Sequence, residues 1–173
     1  MRKLLFLISL LAVMAFATQK MNAQVSATAV TTAKIVSGLE ITKEADLNFG
    51  SMFKPTSGGG TVTVDVNNQR SATGVQLATV TGEAITAAQF KVVGTPNATF
   101  TIEFPYSFSV IKDGGGASML VDGFTYNNIT SPSTLDASGN KTIKVGATLH
   151  VYNYQAEGIY KNTTDLKITV AYN

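Results

Sequence analysis

The chain contains no cysteine. No disulfide can therefore staple it, and no Cys–His pair can act as nucleophile and base. The thiol that a lipoprotein signal would acylate is missing as well. Histidine occurs once, at His150, short of the several His or Cys ligands that zinc sites usually use. A Ser–His–Asp triad would have to use that histidine, and no Gly-x-Ser-x-Gly elbow is present. Beyond residue 17 no apolar run approaches the ~20 residues of a membrane-spanning helix.

The N-terminus has the order of a secretory signal. Arg2 and Lys3 precede an apolar stretch, Leu4 to Ala17, broken only by Ser9. Lys20 and Asn22 end it, and Ala23 offers a small residue for cleavage. The apolar stretch is too short to span a bilayer, which favours a cleaved signal over an anchor. Residues 1–23 are therefore expected to be a signal peptide. Residues 24–173 then form a single domain destined for the periplasm, the outer cell surface or the medium. Removing 23 residues from 173 leaves 150, enough to fold on burial alone. The cut also takes Arg2, Lys3 and Lys20 from 13 basic residues, so ten face 11 acidic ones. That balance offers no basic excess for nucleic acid.

Period-2 alternation dominates the remainder. Val62, Val64 and Val66 alternate with Thr61, Thr63 and Asp65 between the Gly58–Gly60 run and Asn67-Asn68. Phe90 and Val92, then Phe100, Ile102 and Phe104, flank a Gly94-Thr95-Pro96-Asn97 turn and predict a hairpin. Met119 and Val121 lead into Phe124 and Tyr126. Ile143, Val145, Ala147, Leu149 and Val151 make the longest alternating run. Leu166, Ile168, Val170 and Tyr172 close the chain the same way. Val30, Ile35, Leu39, Ile41 and Leu47-Asn48-Phe49 predict two short early strands or one bent one. Glu83 to Gln89 is read as one helical turn or a loop, and Gly114–Gly116 as a hairpin loop. About eight or nine strands result. Their spacing predicts an all-β, antiparallel, immunoglobulin-like β-sandwich.

Chemistry-bearing groups are scattered. Glu83, Glu103, Asp113, Asp122, Asp136, Glu157 and Asp165 do not single out a glycosidase-type pair. Asp136 to Asn140 has the pattern of an Asx turn and lacks calcium-loop spacing. The glycine runs do not open helices and so are not phosphate cradles. Asn97, Asn128, Asn140 and Asn162 each begin an Asn-x-Thr triplet, which points to surface positions. His150 alternates out of phase with Leu149 and Val151 and is expected on the opposite, solvated face. Tyr152, Tyr154 and Tyr160 could contact a ligand by stacking or could pack as strand-end core. The terminal segments, Val25–Val36 and Leu166–Asn173 with Val170 and Tyr172, could add to an open sheet edge of a neighbour. They could equally pair within their own sheet.

Several motifs resemble those of domain-of-unknown-function family 4402, a family of small exported proteins of Gram-negative bacteria. They are Leu47-Asn48-Phe49-Gly50, residues 60–64, Phe90 with Val92 and Gly94, and Val145 to Leu149 with Gln155, Gly158 and Tyr160. More distantly, the chain is similar to immunoglobulin-like subunits of chaperone–usher fimbriae and to spore-coat-like pilus subunits. That likeness rests on the alternating last strand and its penultimate aromatic, Tyr172. In those subunits the corresponding strand is what an assembly chaperone recognises; their usual cysteine pair is absent here. The resemblance implies no enzymatic activity and no cofactor. The expectation is an exported structural or adhesive surface protein, a fimbria-like subunit whose partner is a second copy or another surface subunit. A monomeric glycan- or protein-binding module is the alternative. A hydrolase ranks last because no acid pair can be nominated.

Overall fold

The computed structural model describes residues 24–127 and 129–173. The expected signal, residues 1–23, lies outside the described residues. The chain divides into two units, with the boundary between Ile35 and Val36. In the first unit, residues 24–35 form no strand and are exposed throughout. The expected early strand through Val30 and Ile35 is therefore not formed. Nothing in that stretch of mostly small residues, charged only at Lys34, buries enough area to repay its ordering entropy.

The second unit is all-β and antiparallel, as expected. Its strands are β1 (Glu40–Ala45), β2 (Met52–Phe53), β3 (Gly59–Val64), β4 (Arg70–Thr73), β5 (Gln76–Leu77) and β6 (Ala88–Val93). There follow β7 (Thr99–Glu103), β8 (Phe108–Lys112), β9 (Ser118–Tyr126), β10 (Ser133–Thr134), β11 (Asn140–Tyr152), β12 (Tyr160–Lys161) and β13 (Thr169–Tyr172). The large sheet runs β1-β6-β11-β9-β8-β12, with β3 on β11 and β4 on β3. A second sheet runs β10-β7-β13, and β2 pairs β5.

β11 organises the large sheet because its alternation is the longest. Ile143, Val145, Ala147, Leu149 and Val151 all point inward and are buried. One edge of β11 pairs β6 from Asn140 to Val145, then β3 from Ala147 to Tyr152. Gly146 sits at the change of partner, where a Cβ would strike the Val64 carbonyl oxygen. From the other layer, Phe100 and Ile102 of β7 meet Phe90, Val92, Ile143 and Val145 in one core. Met119, Val121, Leu149 and Val151 form a second core where the large sheet curls.

Three expectations require correction. The Gly94–Asn97 turn does not close a hairpin: β6 lies in the large sheet and β7 in the small one. The turn's backbone is spent elsewhere, Gly94 N–H donating to Gly139 O and Asn97 N–H to Asp136 O. The chain there crosses between layers, and both strands feed the same core from opposite sides. Secondly, Gly59 and Gly60 belong to β3 and do not precede it. A Cβ on Gly60 would strike the Thr73 carbonyl oxygen, so the neighbouring strand requires that glycine. Of the two readings of Glu83–Gln89, the loop is the one that forms: it runs through the Thr86–Asn48 bridge into the start of β6. Finally, the last strand covers only Thr169–Tyr172. Leu166 and Ile168 pack on the first core without ladder bonds. Gly114–Gly116 does form the β8–β9 hairpin loop, with all three glycines at positive φ.

Candidate functional site

The outward face of the large sheet collects the polar alternates of β3, β9 and β11. Thr63 and Thr148 are paired across strands, with their hydroxyls 2.9 Å apart. Thr148 also pairs with Asp122 of β9, next to the bulge at Gly123. His150, two residues on, places Nε2 2.8 Å from Asp122 Oδ1. It is thus on the outer face as expected, yet half-buried and partnered.

The three tyrosines separate into two environments. Tyr152, at the end of β11, and Tyr154, in the following turn, stack with centroids 5.2 Å apart and planes 6° apart. Both are exposed, Tyr154 by 77%. The turn that ends β11 lays the Tyr154 ring against that of Tyr152. Tyr160 does not join them. It packs on the second core, and its hydroxyl donates to Ala156 O at 2.7 Å. Gln155, buried, donates to Ser118 O and to that same hydroxyl, each at 3.0 Å. The Gln155–Tyr160 motif therefore latches a loop onto β9, and Tyr160 is unsuited to direct ligand contact.

Val170 and Tyr172 turn their side chains inward onto the first core. The Tyr172 hydroxyl accepts from Thr95 N–H at 2.8 Å and donates to Ser37 O at 3.1 Å. β13 pairs β7 on one side, and no strand pairs its other side among the described residues. Thr169 and Ala171 face outward. That edge carries no charged residue, whereas the β1 edge carries Glu40, Lys43 and Glu44. Charges protect a sheet edge from pairing, and β13 lacks that protection. Beside it opens a groove of about 480 Å³ lined by Val36, Thr95, Ala98, Thr99, Tyr172 and Asn173.

One polar cluster escaped the sequence reading. The Arg70 guanidinium donates to three carbonyls, Phe49 O and Ser51 O at 3.0 Å and Ala78 O at 2.9 Å. Glu83 accepts from the Ser51 amide and hydroxyl at 2.7 and 2.9 Å. Gly50 has φ 70°, and a Cβ there would strike Ile85. The Leu-Asn-Phe-Gly motif thus exists to pass between Arg70 and Ile85. Its glycine was the one signal in the sequence that pointed to a close approach.

The Asn-x-Thr positions also resolve. Asn97 is exposed, but Asn140 and Asn162 are half-buried and donate to Ser138 O and Ser109 O. All three lie at the surface as expected, with Asn140 and Asn162 tied down by those bonds. Asn128 lies outside the described residues. Among the described residues no three His, Cys, Asp or Glu side chains converge as metal ligands.

Residues 39–172 match the family model described as "Domain of unknown function (DUF4402)". Searches of the curated proteins and of the solved structures give no match.

Proposed function

The chain belongs to the DUF4402 family, and from that premise we propose that it is an exported structural subunit of the cell surface that assembles by β-strand addition. The single observation that carries this reading is the β13 edge, uncharged and unpaired on one side among the described residues. Such an edge presents a row of free backbone groups, and a peptide adding there gains main-chain hydrogen bonds.

The donor is the segment before the matched domain. Residues 24–35 are exposed, carry one charge at Lys34 and form no strand. Their odd positions read Val25, Ala27, Ala29, Thr31, Ala33 and Ile35, mostly small apolar groups on one face of an extended strand. Deleting residues 24–35 while retaining residues 1–23 leaves the sandwich folded and yields only monomer. Polymer of normal length from that deletion would refute the reading.

A second reading, a glycan-binding module, is favoured by the exposed Tyr152–Tyr154 stack. One aromatic face turned to water is a platform for a sugar ring. Loss of glycan-array binding in Tyr154→Ala supports it; unchanged binding removes it.

A further inference from the structure

A second cleft, away from the β13 edge, opens between the Pro105-Tyr106 turn and the bulge of β9. It measures about 410 Å³ and is lined by Pro105, Tyr106, Asp122, Gly123, Phe124 and Tyr126. That volume lies within the range of small-ligand sites. We propose that this cleft binds a neutral sugar ring, with Tyr106 as the stacking platform and Asp122 as the acceptor for its hydroxyls.

Three features carry the assignment. Tyr106 is 94% exposed, and its hydroxyl bonds to nothing among the described residues. An aromatic held in water on a turn between two strands contributes nothing to the core, but it offers a flat apolar face. Asp122 is half-buried and oriented: Oδ1 is taken by His150 Nε2 at 2.8 Å. Oδ2 has no partner among the described residues and remains available to accept. The Oδ2 of an ionised carboxylate is a pure acceptor, which suits a sugar hydroxyl. Lastly, the bulge at Gly123, φ 57°, breaks the alternation of β9 between Asp122 and Phe124. Bulges re-aim side chains in this way beside functional clefts.

The chemistry separates a sugar from other ligands. Among the described residues no three His, Cys, Asp or Glu side chains converge, so Asp122 is not part of a calcium cage. An organic cation could sit over Tyr106 by cation–π attraction. Against that, Asp122 spends Oδ1 on the His150 ring, and its one remaining acceptor oxygen suits the hydroxyl of a polyol. The proposal stands apart from the assembly reading, because the cleft does not involve the β13 edge.

The test is saturation-transfer NMR on the full chain with three probes, the methyl glycosides of mannose, galactose and N-acetylglucosamine. Tetramethylammonium serves as the cation probe. The method reads the small molecule and works for monomer and polymer alike. The expected result is transfer to the ring protons of at least one sugar, with binding at least tenfold weaker in Tyr106→Ala and in Asp122→Asn. Tyr106 is so exposed that its truncation leaves the fold intact, so that variant decides the matter even if Asp122→Asn is unstable. No transfer to any sugar, transfer only to tetramethylammonium, or sugar binding that survives in Tyr106→Ala would each overturn the proposal.

Discussion

The Tyr172 hydroxyl accepts a hydrogen bond from the Thr95 amide at 2.8 Å, tying the last strand to the crossover between the two layers. The same oxygen donates to Ser37 O, so three distant segments meet at one phenol. Gly94 has no side chain because a Cβ there would strike that hydroxyl. Tyr172→Phe should therefore lower stability by about 1–3 kcal/mol, the cost of leaving the Thr95 amide without its partner. Denaturant unfolding of the two proteins checks this, with the change expected in the midpoint and not in the slope.

Gly50 and Gly58 make a matched pair for a second prediction. Both have positive φ, 70° and 63°. Gly58 has open space around it, whereas Gly50 is enclosed by Ile85, Arg70 and Glu83. Gly58→Ala should cost about 1–2 kcal/mol from backbone strain alone. Gly50→Ala should cost that and the displacement of Arg70 from its carbonyls, a larger loss by about 1–3 kcal/mol. Equal midpoints for the two variants would show that the Arg70 clamp contributes nothing.

Burial holds the Tyr126 phenol above its ordinary value of 10. The neutral form is the one favoured in the fold. Stability from this group is fully present below pH 10 and is lost as pH rises through 10 toward the higher folded value. In ultraviolet titration of the folded protein, Tyr126→Phe should remove a component that ionises above 10, along with that share of the alkaline loss.

Much of this fold was legible because it follows from local alternation. The inward set of β11, Ile143 through Val151, is buried residue for residue. β8 was equally readable, since Phe108 and Val110 alternate with Ser109, but it was missed beside the glycine run that follows it. Strand partners were not legible in the same way. The Gly94–Asn97 turn has hairpin composition, and only its bonds to Asp136 and Gly139, about 40 residues away, make it a crossover. Sites followed the same division. Tyr152 and Tyr154 are two apart and meet through the turn that ends β11, a local contact. Asp122 and His150 meet only because β9 and β11 are neighbours. Arg70 spends its charge on backbone carbonyls, which no residue pattern announces.

The β13 edge gives a prediction that leaves folding aside. Ala171 faces outward, opposite Thr101 on β7. Ala171→Lys places a charge on the open edge without touching either core, and edge lysines discourage strand addition. The variant should unfold within about 0.5 kcal/mol of the parent, as surface substitutions usually do, yet fail to polymerise in sedimentation. Polymers of parental length would mean that assembly uses another edge.

The most direct measurement is gel electrophoresis of the protein sheared from cells, with and without boiling. Strand addition predicts a ladder of multiples that collapses to one band only after boiling, because the subunits are joined by ladder hydrogen bonds and buried side chains. A single monomer band in both lanes would contradict assembly by strand addition.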